Sequence, residues 1–296
     1  MNYNTETVNV QFLNQTFLDK LDQGLTKEAG VSMSAFVRQK LREDGFTRKI
    51  LPPSMVTAAE LDRQLTEEPT IIVEKEPDSV AAYLPFLGRP EPRYFTGARY
   101  PVSFGKIQSA EFKKSKFELA TYRTDIRTVL QENSVKDLQK QEDENFYSSS
   151  VAIAQANGNY YNVGGGLTVP NLMQAVKYLT QRQVPVGTIL MTQSLYADLL
   201  KQPATQLGSG LASGLTSGER GLDNFFGFRI VVTNKNDILP DNRVVIYTAP
   251  EYLGQFYLLQ DATVFLETKA DMVSFTTYEA PGIGIGNTNG IVVVDF

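Results

Sequence analysis

Residues 186–201 read VGTILMTQSLYADLLK. This is a short buried strand running directly into a helix. In an α/β enzyme such a junction often carries a nucleophile or a phosphate. Here it carries Thr192, Gln193 and Ser194, with nothing beside them to activate a hydroxyl. The polar residues are read instead as a turn, with Thr192 or Ser194 capping the helix. Immediately before it, LTVPNLMQAVKYLTQRQ (167–183) places Pro170 in a first helical turn and Leu172, Val176 and Leu179 on one face. Gly164–Gly166 lacks the Lys-Ser/Thr of a P-loop and the spacing of a dinucleotide fingerprint, and is read as a turn.

Downstream, residues 203–222 hold five glycines and read as a surface loop. Strands are expected over 226–234 and 244–250, with a turn at 236–242 between them. FYLLQDATVFLETKADMVSFTTYEA (256–280) suggests two or three more. The ending GIVVVDF (290–296) is apolar enough to require burial inside a sheet.

Upstream, residues 125–156 contain neither Pro nor Gly. Ile126, Val129, Leu130, Leu138, Phe146, Val151 and Ile153 form a broken apolar stripe. A helix of some 30 residues would be about 45 Å long. Glu142-Asp143-Glu144 could suggest metal ligands, but consecutive helical residues point in different directions, so a solvated face is expected. Residues 94–123 alternate apolar and polar side chains and are read as a long, charged, two-stranded hairpin. It either packs on its own domain or lies on a neighbouring subunit, because an isolated hairpin is marginal in water. Residues 69–101 carry six prolines and read as extended, with TIIVE (70–74) as a strand.

The first 65 residues read as short helices along an arm with little apolar mass. Two are expected over 9–23 and 33–44, the second with Phe36, Val37 and Leu41 on one face. Thr57–Glu60 matches a capping box. Arg38, Lys40, Arg42, Arg48 and Lys49 form a basic group, read either as a solvated helix face and its tail or as a contact for an acidic partner surface.

The chain of 296 residues has no Cys, His or Trp and a net charge of −5. Those absences remove thiol nucleophiles, disulfides, thiolate zinc sites and imidazole acid–base chemistry. The negative charge argues against binding nucleic acid mainly through phosphates. The opening MNYNTETVNV has no basic and apolar leader pattern, and no run approaches the roughly 18 apolar residues of a membrane helix.

The order of elements, carried by 94–156, 167–201, FFGFRIVVTN (225–234) and the ending after GIGIGNTNG, resembles the Hong Kong 97 fold of tailed-phage major capsid proteins. The resemblance implies an α+β fold. Residues 1–68 would be an N-terminal arm, and 69–122 an extended segment with the E-loop hairpin. Residues 123–160 and 251–280 would form a P-domain with a long spine helix, and 161–250 with 281–296 an α/β A-domain. It further implies pentamers and hexamers closing into an icosahedral head, in a virion assembled in the host cytoplasm. Scaffold, portal and cement proteins would be partners, with double-stranded DNA held inside without specific binding. No cofactor, metal or membrane is implied. Arg38, Arg42, Lys106, Lys113, Lys114, Lys116 and Glu118 become the candidate subunit contacts. Some members crosslink a hairpin Lys to an Asn, but no spacing here selects a partner.

Two alternatives stand beside it. An encapsulin-type nanocompartment shell would share the fold. A carboxylate-based enzyme would draw on Asp261, Glu267, Asp271 and Glu279, which on alternating strand faces need not converge.

Overall fold

The computed structural model describes residues 45–62, 68–74, 83–84, 86, 88–89, 97–116, 134–201, 224–225 and 227–296. The described chain starts with α1 (Phe46–Ile50) and β1 (Pro53–Met55). A ribbon follows, made of β2 (Thr70–Glu74) and β3 (Arg99–Ser103), then the short strands β4 (Ile107–Gln108) and β5 (Phe112–Ser115). Next come α2 (Val135–Ala156), β6 (Tyr160–Asn162) and α3 (Val169–Thr180). The quoted junction is β7 (Val186–Thr192) and α4 (Gln193–Leu200). After it lie β8 (Asn224–Phe225), β9 (Phe228–Thr233), β10 (Arg243–Thr248) and α5 (Pro250–Leu253). Two long strands, β11 (Gly254–Lys269) and β12 (Met272–Ile285), precede a 3-10 turn at Thr288–Gly290 and the last strand, β13 (Ile291–Asp295).

A six-stranded mixed sheet runs β6-β13-β10-β7-β9-β8. Both faces are buried, and the side chains sort between them with the period of two that a pleated strand imposes. Val292 and Val294, Val244 and Ile246, Ile189 and Met191 and Ile230 face α3 and α4. Ile291 and Val293, Val245 and Tyr247, Leu190 and Val231 face the other way, against Phe46 and Ile50 of α1 and Phe146 and Ala154 of α2. This is why the strands read as continuous apolar runs rather than alternating ones. Thr192 ends β7 and caps α4, its hydroxyl accepting from the Leu195 amide at 3.3 Å. Thr168 caps α3 in the same way, accepting from Asn171.

The second sheet runs β1-β11-β12-β4, with β5 also on β12. Only two strands, not three, occupy 254–285. They turn at Ala270-Asp271, where Ala270 takes a left-handed φ of 55°.

Several expectations change. Residues 99–115 do not form the hairpin read over 94–123. Here β3 pairs with β2 (Thr70↔Ser103 to Glu74↔Arg99), while β4 and β5 pair with β12. The alternation was correct, but it marked strands that find their partners elsewhere in the chain. Residues 45–58, expected to belong to a loose arm, enter the core: Phe46, Ile50 and Leu51 are buried, and β1 adds to β11 in parallel. The Thr57–Glu60 capping contact forms, with the Thr57 amide donating to Glu60 Oε2 at 2.7 Å, but it closes a turn. The helix expected from residue 125 is described from Val135; its earlier part, the arm helices and the loop at 203–222 lie outside the described residues.

Candidate functional site

The densest polar arrangement is buried where α1, α2, β11 and β12 meet. Arg48 on α1 donates from Nε and Nη2 to Glu142 of α2, with Nη2 at 2.6 Å from Oε1. Its Nη1 donates to Asp261 of β11 at 3.2 Å, and Nη2 also donates to Glu279 of β12 at 3.0 Å. All four side chains are at most 1% exposed. The guanidinium also lies 5.8 Å from the Phe256 ring centre.

Burial opposes the charge on Arg48, but Glu142 above all, then Glu279 and Asp261, hold its pKa above the ordinary value. Three carboxylates around one cation favour one of them staying neutral. That one is Glu279: burial first, then the Glu142 charge, raises its carboxyl far above the usual range. The neighbouring Glu142 carboxylate thus favours the protonated form of Glu279, whose Oε1 is buried with no hydrogen-bond partner among the described residues. One helical residue further on, Asp143 accepts from the amide and hydroxyl of Thr47, at 2.9 and 2.7 Å, and from Lys235 Nζ at 2.6 Å.

These residues were read differently in the sequence. Glu142 and Asp143 are buried and only Glu144 faces solvent, so the acidic run is not a solvated face. Arg48 does not belong with a solvated tail or a partner contact; its acidic counterpart lies within the same chain. Asp261 and Glu279, two of the four carboxylates an enzyme would need, do converge. They converge on a guanidinium inside a closed core, where no substrate can reach them. Glu267 and Asp271 lie elsewhere on the same hairpin. Among the described residues, no group of acidic side chains is placed to hold a metal ion.

The candidate contact residues fall mainly along one sheet edge. Lys106 places its ammonium 4.7 Å from the Tyr278 ring centre. Lys113 pairs with Glu111 at 3.1 Å. Lys113 and Lys114 are exposed on β5, opposite Ser274 and Val273 of β12. Lys116 is half-buried, its amide donating to the Asp271 carbonyl. Exposed lysines on an outer strand oppose indiscriminate strand addition. A shallow groove of about 430 Å³ opens here, between Lys106, Glu111, Phe265 and Tyr278. Arg38, Arg42 and Glu118 lie outside the described residues.

The root of the β2–β3 ribbon sits on glycines. Gly282 and Gly284 present a bare face of β12, and a Cβ there would stand 3.0 Å from Phe104 and from Val102. The Phe104 amide donates to Pro69 and that of Gly105 to Pro281, fixing the root. Beyond the ribbon, Tyr83 and Phe86 are fully exposed, which is unusual for aromatic side chains so close together in sequence.

No protein-family model matches the sequence, and no curated protein matches it. The fold is nevertheless found in solved structures. A chain of Microbacterium phage Oxtober96 superposes with a TM-score of 0.62 at 13% identity, over 86% of this chain and 91% of that one. The capsid of a native GTA particle gives 0.58 at 16% identity, over 84% and 89%. The virus-like particle from Pyrococcus furiosus gives 0.56 at 17%, over 90% and 100%. The Hong Kong 97-type capsid fold that the sequence resembles is therefore the fold of this chain.

Proposed function

We propose that this chain is the major subunit of a tailed-phage head, self-assembling through pentamers and hexamers into an icosahedral shell around DNA. The supporting observation is a fold shared over 84% or more of the chain with a phage chain and a capsid. In this reading the ribbon and residues 75–98 form the extended loop, α2 is the spine helix, and the six-stranded sheet with α3 and α4 is the axial domain. The exposed Tyr83 and Phe86 then meet a neighbouring copy, and heterologous contacts of that kind close into rings. The lysines at 106, 113, 114 and 116 and the basic residues Arg38 and Arg42 supply further contacts. Scaffold, portal and cement proteins are the expected partners, with the virion as the location and the host cytoplasm as the place of assembly.

Negative-stain microscopy and sedimentation of the purified chain, with and without candidate scaffold, test this. Closed shells, or rings of five and six, are expected; a compact monomer in every condition overturns the proposal. A nanocompartment shell is the second reading, favoured by the full-length match to the Pyrococcus furiosus particle chain. Particles from the native source that hold protein cargo and no nuclease-protected DNA would select it.

A further inference from the structure

Asparagine is followed by glycine at two places in the chain, Asn157-Gly158 and Asn289-Gly290. This pairing has a chemistry of its own, because glycine has no side chain to shield its nitrogen or restrict its backbone. The glycine nitrogen attacks Cγ of the asparagine before it. A C–N bond forms, ammonia leaves, and a succinimide ring results. Water then opens the ring at either carbonyl, giving Asp or isoaspartate. The attack requires the backbone to rotate until nitrogen and Cγ meet, so the surroundings of each pair decide whether it reacts.

The two surroundings are opposite. Asn289-Gly290 lies in the 3-10 turn before β13. Gly290 is buried, and a Cβ on it would stand 2.6 Å from the Thr248 side chain. The Asn289 amide donates to Asn287 Oδ1 at 3.1 Å, and the Gly290 amide to the Asn287 carbonyl at 3.1 Å. The Asn287 amide is itself held by the Leu253 carbonyl. Rotation here means dismantling the turn. Asn157-Gly158 instead closes α2, and both residues are exposed. Asn157 has left the helical region at φ −97° and ψ 5°, and Gly158 has φ 66°. Among the described residues, nothing stands within 4 Å of where a Gly158 Cβ would be. The Gly158 amide donates to the Gln155 carbonyl at 3.2 Å, and Asn157 Nδ2 to the Ile153 carbonyl at 2.8 Å. Both are bonds of an exposed helix end, where water replaces a lost partner and local opening costs least.

We propose that Asn157 is a modification site, converting to Asp and isoaspartate through a succinimide with Gly158, while Asn289 stays intact in the folded chain. The product changes the helix end. A carboxylate cannot donate, so the bond to the Ile153 carbonyl is lost. Its charge also lies at the negative end of the α2 dipole. Isoaspartate further lengthens the backbone just before Asn159, whose amide donates to the Ala154 carbonyl at 2.7 Å and whose carbonyl accepts from the Val293 amide at 3.0 Å. The lesion therefore falls on the seam between α2 and the six-stranded sheet. The inference concerns one chain and holds whether or not that chain forms a shell.

Hydroxylamine cleaves Asn-Gly bonds through the same succinimide and supplies the test. In folded full-length protein it is expected to release fragments 1–157 and 158–296 about tenfold faster, or more, than it cuts after Asn289. In denatured protein the two cuts should proceed at similar rates, which assigns the difference to the fold. Protein aged in mildly alkaline buffer without hydroxylamine should show the mass gain of amide-to-acid conversion in the peptide holding Asn157 and not in the one holding Asn289. Asn157→Gln should abolish the first cut and leave the melting temperature unchanged. Equal rates at the two sites in folded protein, a faster cut after Asn289, or no reaction at Asn157 while the denatured chain is cut to completion would each overturn the proposal.

Discussion

Arg48 donates to carboxylates carried by three different elements, all of them buried with it. Removing one partner of a buried ion set leaves uncompensated charge, at a cost of about 3–5 kcal/mol. Arg48→Ala is therefore expected to lower the urea midpoint by that equivalent, and a change under about 1 kcal/mol would mean the cluster is solvated. Glu279 supplies a pH signature. It keeps its proton in the folded state to well above the range where the unfolded chain releases it, so the folded state binds more protons between those limits. That contribution to stability is complete below the unfolded pKa and is lost as pH rises toward the folded one. Glu279→Gln, which keeps a neutral donor, should flatten the decline in melting temperature between pH 5 and the alkaline range; an unchanged slope would place the proton elsewhere. Part of the site had a local signal that the expectation of a solvated face at 142–144 passed over. Glu142 lies four residues from both Leu138 and Phe146, on the apolar stripe itself, and that row marks it as buried. Nothing local marks Asp261 and Glu279 as its partners, because their meeting depends on how β12 registers on β11.

At the scale of the element, β7 and α4 are one unit joined by a single hydroxyl. Thr192→Ala is expected to cost about 1 kcal/mol in urea unfolding, and Thr192→Ser to retain most of it. The glycine face of β12 makes a different demand. In Gly284→Val the new side chain meets Val102 and Tyr257 at the ribbon root, and overpacking of that kind costs about 1–3 kcal/mol. Faster proteolysis between Glu74 and Arg99 should accompany the lost stability. A variant with wild-type stability and cleavage would show the root is not seated on β12. Elements with contiguous signals were readable: Pro170 opens α3, and GIVVVDF holds β13. The ribbon was not, because residues 75–98 separate its two strands and the nearer alternating segment at 107–115 offered a false partner.

For the whole molecule, the α+β class came from the resemblance carried by the order of elements, whereas the grouping of strands into separate sheets depends on pairings that no local signal shows. Which surfaces meet other copies did not follow, because exposed lysines look alike whether solvent or a neighbour surrounds them. Replacing residues 75–98 by Asn-Gly joins Glu74 to Arg99 by a two-residue turn suited to the paired strands. That chain is expected to melt within a few degrees of the parent, yet to sediment as single subunits without closed shells. Shells of normal size would show that residues 75–98 are not needed for assembly. The long reach of Arg48 also bears on the order of events during synthesis. Its partners lie 94, 213 and 231 residues further along the chain. A ribosome must therefore release Glu279 before the segment carrying Arg48 can lock in place. Truncated products would keep that segment unlatched, and a checkpoint of this kind would keep incomplete chains from joining finished ones.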